Sequence, residues 1–157
     1  MYVSALLSTL HIAGIILAFI GIRGRIAALG QTRHGHAEVL PALFRADNAW
    51  GISAIVLLAS GLTRAFTTYE KGSAFYLNNT VFYIKLALFA FVFALEIAPM
   101  VTLIRWRIST ARGRGIGLAE LTQKSNWMLA ISVVQAVLLV VFLILGPIMA
   151  RGLWMRT

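Results

Sequence analysis

The chain has no cysteine. That excludes disulfides, thiolate metal sites and a thiol nucleophile, whatever the compartment. Charge is also scarce: 12% of the 157 residues are Asp, Glu, Lys or Arg, where a soluble domain carries roughly a quarter. No segment is polar enough to form a separate soluble domain. Nor does the first span read as a cleavable leader. The first apolar stretch has no basic region before it, and Arg23 and Arg25 stand where a small-residue cleavage site belongs.

What fills the chain instead is apolar sequence, 60% of it, with a mean hydropathy of +0.86. Four stretches reach the ~20 residues that a hydrocarbon core requires: Tyr2–Ile22, Ala49–Phe66, Thr80–Ile104 and Asn126–Ala150. Backbone groups in lipid must bond within their own segment, so each stretch reads as a helix. The expected fold is all-α, an integral membrane four-helix bundle in a single domain covering 1–157. The net charge of +9 does not point to nucleic acid. Nine Lys or Arg fall in the segments 23–48 and 105–125 and four on the other side, Arg64, Lys71, Arg151 and Arg156. The positive-inside rule makes those two segments cytoplasmic loops and leaves both termini periplasmic. The expected location is a bacterial inner (plasma) membrane, crossed several times.

Polar residues at membrane depth mark function or a specific pairing. In span one, His11 lies near the middle. Ser4, His11, Gly14, Ala18 and Gly21 recur at a/d-like spacing, a stripe on which another helix backbone can approach closely. His11 therefore points into the bundle. An imidazole there suits the axial position of a haem, with Gly14 and Ala18 leaving room for the ring; equally, it can be a hydrogen-bond partner across helices. Span two opens on Asp47-Asn48, a cap-like pair, and its Gly51, Ala54, Gly61 and Ala65 read as a close-packing face. Arg64 leaves it at the outer surface. Aromatic Tyr69, Phe75 and Tyr76 suit the membrane interface beyond.

Span three carries Lys85 and Glu96. Eleven residues separate them, roughly 16 Å along a helix, so each needs a partner elsewhere. Lys85 reaches toward His11. Glu96 shares its depth with Gln135 of span four, with Asp47, Asn48, Arg23 and Arg45 at the rim. Pro99 frees a carbonyl one turn back. The two loop histidines His34 and His36 are too few to hold a metal ion. GRGIG in the second loop follows no strand, which rules out a dinucleotide fingerprint.

LHIAG in span one, SGLTR ending span two and FYIKL opening span three resemble the four-span, haem-b-binding bacterial protoporphyrinogen IX oxidases and the copper-resistance D-type membrane proteins. The chain is more similar still to an uncharacterised four-span bacterial family with Asp47, Gly51, Gly61, Arg64, Lys71, Gly72, Asn79, Phe82, Lys85 and Pro99 in its pattern. The resemblance implies that His11 is a haem ligand and that Lys85 is functionally important. The oxidases' longer aromatic motif after the histidine, ending in Arg and a second His, is missing from FIGIRGRIAAL. A haem b or tetrapyrrole site at His11 and Lys85 is thus implied, and a reaction is not. No catalytic residue is assigned, and no metal beyond a haem iron at His11.

Two functions remain in view. One is a haem-binding membrane protein with a redox role. The other is a non-catalytic accessory subunit of a larger membrane complex, respiratory or photosynthetic, with the polar residues serving helix packing. A small transporter ranks last, because the halves show no internal repeat. The partners expected are the lipid bilayer and either other membrane subunits or a second copy of the chain.

Overall fold

The computed structural model describes residues 2–67 and 71–154. Five α-helices account for nearly all of them: α1 Tyr2–Thr32, α2 Leu40–Phe66, α3 Gly72–Leu77, α4 Thr80–Ala111 and α5 Leu118–Ala150, with a 3-10 turn, Ala37–Val39, before α2. There is no strand among the described residues. The fold is all-α, as expected. The helices α1, α4 and α5, and α2 together with its preceding turn, are long and apolar enough to cross a membrane. Tyr69 and Arg156 lie outside the described residues.

Helical structure runs well past the apolar stretches. α1 continues ten residues beyond Ile22, and α2 begins nine before Ala49. Asp47-Asn48 is accordingly no cap: α2 starts at Leu40, with Pro41 in its first turn, where a missing N–H costs nothing. The fourth apolar stretch also starts inside a helix, since the N-cap of α5 is Gly117 and Ser125-Asn126 is interior. Hydropathy registers only the lipid-depth part of a helix, so it misses such polar continuations. The true caps are elsewhere. The Asn79 side chain accepts from the Val81 N–H at 2.9 Å and starts α4. At the other end Gly113, at φ +68°, allows Gly113 N–H to reach Thr110 O and Arg114 N–H to reach Ser109 O. That is a Schellman stop, and it is the structural use of the first glycine of GRGIG.

Side chains on the outward faces are apolar, Ile12, Ile16 and Ile20 on α1 or Phe91, Phe93 and Ile97 on α4 being half exposed or more. Such a surface belongs against lipid. Inside, α1 packs most extensively on α2, then on α5, and α5 packs on α4. The core divides in two. One cluster gathers Leu29, Leu43, Leu103, Trp106, Leu121 and Met128 at the end where α1 finishes and α5 begins. A smaller one, Ala18, Ile22, Trp50 and Leu139, sits mid-bundle. Toward α3 the apolar packing gives way to a cavity.

Candidate functional site

The cavity measures about 700 Å³, within the ~300–1,000 Å³ of ordinary ligand and cofactor sites. All four long helices line it and α3 closes one end. Its walls are mainly Leu, Phe and Ala, with polar side chains at three levels. Trp50 and Gln135 form the floor, His11 and Ser53 stand on the wall, and Arg64, Lys71 and Lys85 gather at the α3 end.

His11 reaches from α1 to α2, its Nδ1 lying 2.8 Å from Ser60 Oγ. The serine hydroxyl has one proton, and it donates to Val56 O at 2.6 Å. Ser60 therefore accepts from His11 Nδ1–H, and in the neutral imidazole this leaves the lone pair on Nε2. A neutral histidine fixed in this way is a Lewis base held in one tautomer, the arrangement that metal-ligating histidines adopt. Gly61 stands beside it: a Cβ there would meet the imidazole Cε1 at 3.6 Å. Of the two small residues expected to make room, Ala18 lines the cavity. Gly14 has another task, since a Cβ on it would press within 3.1 Å of Leu57; it closes the α1–α2 contact.

Lys85 and Arg64 project from the first turns of α4 and the last turn of α2, and Lys85 stands on the cavity wall with His11. Lys71 bonds Ala150 O at the end of α5 and stacks over the Phe75 ring, 4.3 Å from its centroid. The basic end of the cavity is thereby tied to α3 and α5 together.

Beneath the floor lies a network of four charges. Glu96 is its centre: Oε1 accepts from Arg25 Nη1 at 2.7 Å, and Oε2 accepts from Gln135 Nε2 at 2.8 Å and Trp50 Nε1 at 3.2 Å. Arg25 Nη1 is also 3.6 Å from Asp47 Oδ1. Asp47 Oδ2 accepts from Arg107 Nη2 at 2.9 Å, and Arg107 also donates to Asn48 Oδ1 and to Phe44 O. Two guanidinium groups and two carboxylates cancel, so the set can persist at depth. One level further, Thr32 and Ser125 hydroxyls join α1 to α5 at 2.8 Å.

The expected pairing of Glu96 with Gln135, near Asp47, is thus present, and Arg64 stands apart from it at the far end of the cavity. The arginines expected at the rim are not the ones that pair. Arg23 and Arg45 are exposed, whereas Arg25, with no exposed side-chain surface, and Arg107 do the pairing. A signal for Arg25 existed. Gly14, Ala18 and Gly21 continue at the same spacing to Arg25, so the packing stripe itself carries that side chain inward. Among the described residues no three His, Asp or Glu side chains converge to hold a bare metal ion. His36 instead pairs with Glu38 in an exposed turn.

An all-helical chain with four membrane-length helices, lipid-type outer faces and ionised groups paired inside defines a polytopic integral membrane protein. Residues 3–153 match the family described as "Predicted membrane protein (DUF2214)", and the chain belongs to it. That membership agrees with the expected four-span membrane family. No curated protein and no solved structure matches the chain, and the likeness to haem-b oxidases draws no support from these comparisons.

Proposed function

We propose that the protein holds haem b or a related tetrapyrrole in the cavity between its helices. The observation that carries this is His11, which lines a cavity of about 700 Å³ and whose Nδ1 is engaged by Ser60, so that Nε2 is the nitrogen left for a ligand. A bare ion would need further ligands, which are lacking among the described residues; a ring that brings its own four nitrogens needs only an axial donor. Lys85, Lys71 and Arg64 suit the acidic substituents such a ring carries. A bound haem would supply one-electron redox chemistry. His11 would hold the iron, Lys85, Lys71 and Arg64 would pair the acidic groups, and the apolar walls would keep water away.

The visible spectrum of the purified protein tests this. A Soret band that shifts on dithionite reduction is expected, lost or strongly weakened in His11→Ala. Lys85→Met should change the spectrum or the potential without abolishing binding. Ser60→Ala, which frees the imidazole, should weaken haem affinity by about 10-fold or more. A colourless preparation from haem-replete cells, with no tetrapyrrole by mass spectrometry, would overturn the proposal in favour of an accessory subunit whose polar residues serve packing.

The same reading sets the chain in a bacterial inner membrane with the α3 end facing out, on the nine-to-four distribution of Lys and Arg. Reporter fusions at Thr157 and within residues 31–39 should report opposite sides, the C-terminus being external. A cytoplasmic C-terminus would invert that orientation.

A further inference from the structure

We infer that the cavity takes its ligand sideways from the membrane, through a window between α2 and α4, so that its substrate class is a membrane-dissolved acidic amphiphile. This rests on reading the cavity as a ligand site; it does not require that the ligand be haem.

The bundle is closed on three sides and not on the fourth. Backbone packing joins α1 to α2, α1 to α5 and α5 to α4, while α2 and α4 have almost none. They meet through long side chains at three levels. The deepest is Arg107 of α4 on Asp47, Asn48 and Phe44 O of α2, and the other two border the cavity. At the floor, Trp50 of α2 donates to Glu96 of α4 at 3.2 Å. At the α3 end, the Phe66 and Phe82 rings stand edge to face with centroids 6.4 Å apart. Between these two crossings the lining side chains of α2 and α4 that also reach the outer surface are leucines. Leu58, Leu62 and Leu86 line the cavity, yet they are 40%, 38% and 45% exposed. Leu143 of α5 shares this property at 49% exposure, but α5 packs on both of its neighbours, so it is between the unpacked α2 and α4 that such side chains mark an opening.

The chemistry of the opening selects what passes. At lipid depth, leucine lips offer a water-borne polar solute no hydrogen bond in exchange for its hydration. An apolar body already dissolved in the bilayer crosses them without that loss. The basic residues fix the other half of the ligand. Arg64 and Lys85 lie within about two turns of the helix ends that flank α3, the depth at which an amphiphile carries its headgroup. An acidic head held there leaves the apolar body pointing at Trp50 and Gln135.

The absence of cysteine makes a clean test. Leu62→Cys with Leu86→Cys supplies the only two thiols, and bis-maleimides of graded length can bridge the window. Trp50, 7% exposed, is the reporter, in a chain where Trp106, Trp127 and Trp154 are replaced by Phe. The probe is phosphatidylglycerol brominated on its acyl chains, in vesicles. Quenching of Trp50 despite its burial is expected, falling severalfold once the window is bridged. No quenching with the window open, or equal quenching with it bridged, would overturn the inference. Should Trp106→Phe prevent folding, the difference between the four-tryptophan protein and Trp50→Phe gives the same readout. Haemin separates the two proposals. Lipid quenching without haemin binding sinks the tetrapyrrole and leaves the window; haemin taken up equally fast after bridging sinks the window and leaves the tetrapyrrole.

Discussion

Glu96→Ala should destabilise the bundle by about 3 kcal/mol, at the lower end of what removing one partner of a buried ion pair costs. The reason is the guanidinium left behind. Arg25 has no exposed side-chain surface, and its closest charge partner is Glu96 at 2.7 Å. Hydrogen bonds between membrane helices are worth only about 0.6 kcal/mol on average, so the loss of the bonds from Trp50 and Gln135 is the smaller part. The uncompensated charge decides the outcome. Asp47, 3.6 Å from the same Nη1, limits the damage by taking over part of the pairing, though it is already engaged by Arg107 at 2.9 Å. Removing both charges should be milder than removing one. In Arg25→Met with Glu96→Leu, Asp47 and Arg107 still neutralise each other, and the buried cation is gone. The check is unfolding in detergent across the full double-mutant cycle. If Glu96→Ala lies within ~0.5 kcal/mol of the parent protein, the scale of an ordinary surface change, the network is not what holds α4 to α1.

Much of this network could be read from the sequence, and the part that could not has a physical cause. Depth along a helix is linear in residue number, so Glu96 and Gln135 fall at one level by counting alone, and they do bond. The side chain of His11 was legible in the same way, from the small residues around it. Arginines near span ends are harder, because a basic flank is the usual sign of a cytoplasmic boundary. Arg25 and Arg107 counted toward that boundary, as Arg23 and Arg45 did. What separates them is azimuth, which shows only once α1 is continued as a helix beyond Ile22. The cavity was less legible still. It depends on α2 and α4 failing to pack, a property of four helices together. In α2 the small residues misled in part: Ala65 is buried, but the others are not a packing face. Gly51 is exposed and Gly61 borders the cavity, whereas the buried line toward α1 runs through Leu43, Trp50, Ser53 and Ser60. Serine packs closely in that line because its hydroxyl returns to its own helix, Ser53 to Trp50 O and Ser60 to Val56 O, both at 2.6 Å.

That difference gives two glycines opposite fates. At Gly21 a Cβ would sit 2.6 Å from Trp50 N, 3.0 Å from Trp50 Cα and 3.1 Å from Ala46 O. These are backbone atoms of α2, and they cannot swing aside as a side chain can. Gly21→Leu must therefore push α1 and α2 apart along their most extensive contact. The displacement also moves Trp50 off Glu96 and strains the Arg25 pairing one turn on. Overpacking alone costs about 1–3 kcal/mol, and the loss of the close approach adds to it. The roughly 1 kcal/mol by which most residues exceed glycine in helix propensity does not offset this. The variant should lose more than about 3 kcal/mol or fail to assemble. Gly61→Leu begins at ordinary contact distance, 3.6 Å from the His11 ring. Its side chain extends into the cavity without forcing backbones apart. It should unfold near the parent temperature while losing most haemin binding. Unfolding in detergent and haemin titration, run on both variants, separate the cases. Gly61→Leu destabilising more than Gly21→Leu would mean that α1 and α2 meet at the level of His11, with no room there for a ligand.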